Sequence, residues 1–259
     1  MTPTQDYLAK AAGLIDKVAA QEGTIQQAAD CFSQTILAGR MVHLFGSGHS
    51  RMLVEEMWPR YGSFPGFNPI VELSLTFHNG VVGANGQRQA MFLENTCGLA
   101  EQILRNFDLS PQDCALVVSS SGASIVPCEM ARGFRDRGIR VVGIVSKAHA
   151  AQCPSKHPDG LKLEDIADLV LDIGAPPGDA MVQIEGLDTP VAPGSTIGGA
   201  LLINTLKAET AQRLTAAGAP PKVLTGAMIV GAERSRELFD AAYDEHAHRL
   251  ARLFANVSG

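Results

Sequence analysis

Five short, mainly apolar runs, at residues 41–45, 69–75, 115–118, 139–145 and 169–173, alternate along this chain with segments of helical periodicity. A strand that is apolar on both faces has no side to turn to water, so such strands belong in a parallel sheet covered on both sides. The expected fold is α/β: a doubly wound five-stranded parallel sheet in the flavodoxin-like order 2-1-3-4-5, with additional N- and C-terminal helices. Leu8, Ala11, Leu14, Ile15 and Val18, then Ile25, Ala28, Ala29, Phe32 and Ile36, recur at helical spacing. Gly23 is a candidate break between two N-terminal helices and Gly39 a candidate C-cap. Further helices are expected over 91–107, 124–137, 195–217 with Ser195 as N-cap, and 232–254. The stretch 174–194 reads as irregular, and such stretches often line sites.

Composition narrows the partners. The 259 residues are 46% hydrophobic and 19% charged, ordinary for a globular protein. A net charge of -6 argues against nucleic acid or an anionic membrane as partner, and 5% aromatic residues offer no platform for stacked bases. The N-terminus lacks a basic region followed by an apolar core, and no apolar run approaches the ~18 residues of a membrane span, so a cytoplasmic location is expected. The five cysteines are odd in number and lack C-x-x-C spacing, which fits reduced, mostly buried thiols. No His, Cys, Asp or Glu cluster has metal-ligand spacing, and neither a metal nor a cofactor is expected.

Two turns carry the chemistry. Gly46-Ser47-Gly48-His49-Ser50 follows the first strand, and Ser119-Ser120-Ser121-Gly122-Ala123-Ser124 follows the third; each opens a helix. Helix N-termini present unpaired N–H groups and the positive end of the macrodipole, and serine hydroxyls add neutral donors for phosphate oxygens. In the order 2-1-3-4-5 both turns face one crevice. The first turn alone is equally well explained as a tight strand–helix connection with an N-cap serine. Three consecutive serines plus Ser124 exceed what capping needs. The first turn lacks the third glycine of G-x-G-x-x-G, and no G-x-x-x-x-G-K-[ST] loop occurs.

This pair of turns resembles the SIS (sugar isomerase) domain, whose second motif reads close to Ser-x-Ser-Gly-x-Thr. Residues 94–146 resemble N-acetylmuramic acid 6-phosphate etherase in layout, and the segments around His157, Gly178 and Ser195 resemble a bacterial SIS subfamily related to that etherase and to phosphoheptose isomerase. The resemblance implies one SIS domain over 1–259, with N-terminal helices (1–39), an α/β core (40–217) and a C-terminal helix (218–259). It implies that Ser119, Ser120, Ser121 and Ser124 bind phosphate and that Ser47, Gly48 and Ser50 contact phosphate or sugar. It implies Glu94 as a functional glutamate. A catalytic glutamate of these relatives falls ten residues beyond the last serine of the first turn, where this chain has Arg60; Glu56, one helical turn earlier, is the substitute.

The implied activity is that of a sugar-phosphate enzyme, a lyase acting on an amino-sugar 6-phosphate such as N-acetylglucosamine 6-phosphate. Proton abstraction at carbon 2 and elimination at carbon 3 would use Glu56 or Glu94 as base. The alternatives are an aldose–ketose isomerase and a non-catalytic sugar-phosphate sensor. His78 is a further candidate acid, base or ring-opening group. His43, inside an apolar strand, reads as a core residue, and Lys207 and Glu209 as exposed charges. Leu238, Tyr243, Leu250 and Leu253 suggest a helix-mediated homodimer, whose second copy could complete the site.

Overall fold

A computed structural model describes residues 1–76 and 87–255. His78 lies outside these residues. The chain opens with α1 (Pro3–Ala19) and α2 (Glu22–Leu37), then forms β1 (Val42–Gly46), a 3-10 turn and α3 (Arg51–Met57), β2 (Phe67–Ile70) and α4 (Leu73–Thr76). After α5 (Gln87–Leu93) and α6 (Leu99–Leu104) come β3 (Cys114–Val118), α7 (Ile125–Asp136), β4 (Arg140–Val145), α8 (Lys147–Ala150), α9 (Leu163–Ile166) and β5 (Leu169–Asp172). A hairpin of β6 (Ala180–Val182) and β7 (Val191–Pro193) leads to α10 (Ser195–Ala216), α11 (Ala227–Val230) and α12 (Ala232–Leu253).

The large sheet has five parallel strands in the order β2-β1-β3-β4-β5, as the apolar runs require. Alternate residues of each strand feed opposite cores. Val42, Leu44, Leu116, Val118, Val142 and Ile144 pack under α2, α3 and α10, against Phe32, Val54 and Leu206 among others. Phe45, Ala115, Val117, Val141 and Val145 face α6, α7 and α9, meeting Leu104, Phe134 and Leu163. A fully buried side chain of this size contributes roughly 1.5–3 kcal/mol, so each face is closed by many small gains. No helix among the described residues is long and apolar enough to cross a membrane.

Several boundaries differ from the sequence expectation. The second strand covers Phe67–Ile70 rather than 69–75, because Glu72 ends it: its carboxylate accepts from Ser74 N–H (3.1 Å) and Oγ (2.8 Å), which starts α4. The helix expected over 91–107 is two, broken at Gly98, whose φ is +82° and whose N–H donates to the Glu129 carboxylate. The N-terminal break falls at Gln21 rather than Gly23. The Gln21 amide donates to the carbonyls of Lys17 and Asp172 and accepts from Asp172 N–H, tying the junction to β5. Gly39 does cap α2, at φ +75°. Within 174–194 the structure adds the β6–β7 hairpin, whose Met181 and Val182 pack with Leu14.

α12 folds back across the ends of α2 and α3. Arg249 donates to the carbonyls of Ile36 (3.2 Å) and Arg40 (2.7 Å), and Trp58 packs against the rings of Tyr243 and His246. Leu253 is therefore buried within its own chain and cannot serve a dimer face. Lys207 is also buried rather than exposed: its ammonium donates to the Glu56 carbonyl at the end of α3 (2.8 Å), and burial lowers its pKa.

At the amino ends of the strands lies a buried ionic group. Arg40 grips Asp113 through Nε (2.8 Å) and Nη2 (2.9 Å), and Ser110 N–H donates to the same carboxylate (2.7 Å). His43 Nε2 stands 3.3 Å from Asp113 Oδ2 while its Nδ1 meets Asn68 and its ring stacks on Phe134, so it is a core residue as expected. Burial pushes the Asp113 pKa upward, but His43 and Arg40 outweigh it and hold the carboxyl at about 2. A carboxylate depressed in the folded state stabilises the fold above its unfolded pKa, and that stabilisation is lost as pH falls through the folded value. In urea titrations, the stability advantage of wild type over Asp113→Asn should shrink by about 2 kcal/mol between about pH 5 and pH 2, and be constant above that range.

Candidate functional site

The crevice forms where β1 and β3, neighbours at the point of strand-order reversal, deliver their turns side by side. The first turn is too tight for any side chain at Gly46, whose Cβ would stand 2.8 Å from the Ser50 backbone. Gly48 (φ +55°) then lets Ser50 N–H fold back to the Ser47 carbonyl (3.1 Å). The second turn pivots on Gly122 at φ +60°, closing a Gly122 N–H to Ser119 carbonyl bond (3.0 Å).

Ser47 and Ser124 occupy N-cap positions, yet neither hydroxyl caps its helix. Both donate instead to Glu94: Ser47 Oγ to Oε2 at 2.8 Å and Ser124 Oγ to Oε1 at 3.0 Å. The Glu94 carbonyl accepts from Val126 N–H (2.9 Å), so this residue is fastened to the start of α7 by backbone as well. One carboxylate thus clasps the two turns together. The N–H groups of Ser120, Ser121 and Ser124 have no protein acceptor among the described residues. The Ser120 hydroxyl is also buried without a partner, a state that costs roughly 1–3 kcal/mol unless a ligand or water relieves it. Ser119 is buried, Ser121 half-buried with its Oγ accepting weakly from Ala123 N–H (3.3 Å). These unspent N–H groups of the turn, lying just ahead of the twelve-residue α7, form a candidate anion seat.

Beside this seat is a small cavity lined by His49, Ser50, Leu53, Ser120, Asp179, Ser195 and Thr196. Its far wall is the amino end of α10, which begins with Ser195 as its first residue, not as its cap. Asp179 performs that task from φ +66°, accepting from Gly194 N–H (3.1 Å), Ser195 N–H (2.7 Å) and Ser195 Oγ (2.6 Å). Sequence reasoning missed Asp179. The signal was the dipeptide Gly178-Asp179 after two prolines, a turn in which aspartate tolerates the left-handed conformation.

Glu56 is not brought to the turns. It lines a separate groove with Met52, Arg60, Tyr61, Phe239 and Tyr243, accepts from Asn204 Nδ2 (2.8 Å), and is ion-paired with Arg60 one helical turn on. Burial raises its pKa, but the Asn204 and Arg60 donors outweigh that and leave it below the ordinary carboxylate value. Ser47, Gly48, Ser50, Ser119, Ser120, Ser121, Ser124 and Glu94 are brought together as the two turns and their clasp.

A doubly wound parallel sheet with two serine-lined turns side by side at its switch point defines an α/β protein of flavodoxin-like strand order. Residues 6–146 match the SIS domain family, and the chain belongs to that family. Similar relatives include the UPF0309 protein BH0227 of Halalkalibacterium halodurans, 32% identical over 89% of this chain and 90% of that protein. The UPF0309 protein BCAN_B0929 of Brucella canis is 32% identical over 94% and 96% of the two chains. The fold is also similar to a phosphoheptose isomerase from Francisella tularensis, with TM-score 0.51 and 15% identity over 82% of this chain and all (100%) of that one.

The Asp179 cap is open to test. Asp179→Ala strips three acceptor contacts from the start of α10 and should cost about 1–2 kcal/mol, read as a lowered thermal unfolding midpoint.

Proposed function

We propose that this chain is a sugar-phosphate enzyme, a carbon–oxygen lyase acting on an amino-sugar 6-phosphate such as N-acetylglucosamine 6-phosphate. The observation that carries the reading is the Glu94 carboxylate held by Ser47 and Ser124 at the lip of the anion seat. The phosphate docks on the N–H groups of Ser120, Ser121 and Ser124 and on the serine hydroxyls, stabilised by the amino end of α7. A serine hydroxyl has one proton to give. When Ser47 and Ser124 turn to the ligand, they release Glu94 as a carboxylate with fewer donors and hence greater basicity.

With the sugar in its open-chain aldehyde form, Glu94 removes the proton on carbon 2. The electron pair left behind forms the carbon 2–carbon 3 double bond as the carbon 3 substituent departs with its bonding pair and takes up a proton. Glu56, turned into another groove and stabilised as its anion, has no part in this assignment.

Incubation with N-acetylglucosamine 6-phosphate in deuterated water, followed by NMR, tests the reaction. The expected product has lost the carbon 3 substituent. A ketose product overturns elimination in favour of aldose–ketose isomerisation, and ligand-dependent stabilisation without turnover, across a panel of sugar phosphates, makes the protein a sensor. Glu94→Gln should lower turnover about 10²–10⁴-fold while retaining ligand binding, whereas the double variant Ser121→Ala, Ser124→Ala should lose binding.

The second part of the proposal is a homodimer. Leu8 and Ile15 on α1 and Phe239 and Tyr243 on α12 are exposed at 61%, 55%, 44% and 37%, apolar stripes on both terminal helices. Analytical ultracentrifugation should give twice the chain mass; a monomer at micromolar concentration removes the dimer from the reading.

A further inference from the structure

The end of the sheet opposite the serine turns holds two sulfurs that the proposed reaction does not use. Cys31 on α2 and Cys114, the first residue of β3, line one pocket of about 280 Å³. Its rim is exposed, formed by Gln34, Ala38, Pro111, Gln112 and Arg140, while the two cysteines are buried at 7% and 1% exposure. Cys31 Sγ lies 3.2 Å from the Gln27 carbonyl and Cys114 Sγ 3.3 Å from the Arg140 carbonyl, and both residues line the same pocket wall. Arg140 has no ion pair among the described residues, so its positive charge is uncommitted at the pocket mouth.

We propose that this pocket is a thiol-oxidation site, in which Cys31 reacts with a small hydroperoxide and Cys114 then closes a Cys31–Cys114 disulfide. Cys31 has the character of the attacking sulfur. Interaction with the Cys114 thiol lowers its pKa to about 7, against burial and with help from Arg140, although Asp30 opposes. Cys114 is driven the other way, first by Cys31 and then by burial, and keeps its proton until the second step. By contrast Cys128, its Sγ 3.2 Å from the Gly122 carbonyl, is pushed by burial up to about 12 and stays inert.

The steps balance. The Cys31 thiolate attacks the distal peroxide oxygen, forming an S–O bond as the O–O bond breaks. The departing alkoxide takes a proton to leave as alcohol, and Cys31 becomes a sulfenic acid. The Cys114 sulfur then attacks the Cys31 sulfur, the S–S bond forms as S–O breaks, and hydroxide leaves with the Cys114 proton as water. Two thiols lose two electrons, and the peroxide gains them. The pocket admits a molecule of peroxide size to sulfurs that are nearly closed to larger reagents. The bridge would staple α2 to the start of β3, independently of whatever happens at the serine turns.

The experiment treats the full chain with hydrogen peroxide, alkylates remaining thiols under denaturing conditions, and maps non-reduced peptides by mass spectrometry. The expected map contains the Cys31 peptide linked to the Cys114 peptide, a product lost on treatment with dithiothreitol, with Cys128 still alkylated. In Cys114→Ser, dimedone should capture a sulfenic acid at residue 31; in Cys31→Ser, position 114 should stay reduced. Recovery of both cysteines as free thiols after Cys97 has been oxidised overturns the proposal. So does Cys31 advancing to the sulfinic acid without a bridge, or pairing with any other cysteine. The wild-type map decides the matter even if a variant fails to fold.

Discussion

β1 and β3 lie side by side with every residue buried, and the rest of the architecture answers that condition. Neither strand can be left open on either face, so α2, α3 and α10 close one side and α6, α7 and α9 the other. The chain leaves this central pair in opposite directions, toward β2 and toward β4, and the gap between the departing connections is the crevice. The crevice is thus a by-product of burial: two apolar strands need two covering layers, and the seam between their exits brings the N–H groups of the serine turn to open space.

Within that seam, Glu94 decides how the serines are used. Ser47 and Ser124 sit where a hydroxyl would ordinarily serve its own helix, and both are drawn off by one carboxylate on a different segment. The Glu94 carbonyl takes over the capping of α7 through Val126 N–H, and the N–H groups of the preceding turn, at Ser120, Ser121 and Ser124, are the ones left without a protein acceptor. The segment carrying Glu94 is thereby integral to the site.

The strand order and the position of the two turns were legible because period and burial are local properties of residues such as Val42, Leu44, Leu116 and Val118. The serine turn was legible for a related reason: four hydroxyls exceed any capping need. What escaped the sequence depends on contacts between distant segments. Glu72 cut the second strand short through a hydrogen bond to Ser74, Gln21 set the helix junction through β5, and Lys207 was withdrawn from solvent by the end of α3. Glu56 shows the limit of helical spacing as an argument. It shares a face with Arg60 as supposed, but the two side chains satisfy each other on a groove away from the turns.

Asp179 gives the crevice a direction. Two long helices, α7 and α10, point their amino ends toward it, but a carboxylate of the chain itself already supplies the negative charge at α10. On the proposed reading, a dianion would be attracted at the serine turn and repelled beside Asp179. A monophosphate would then lie one way round, its neutral tail toward Ser195 and Thr196, and a second phosphate at that end would meet a carboxylate instead of open N–H groups.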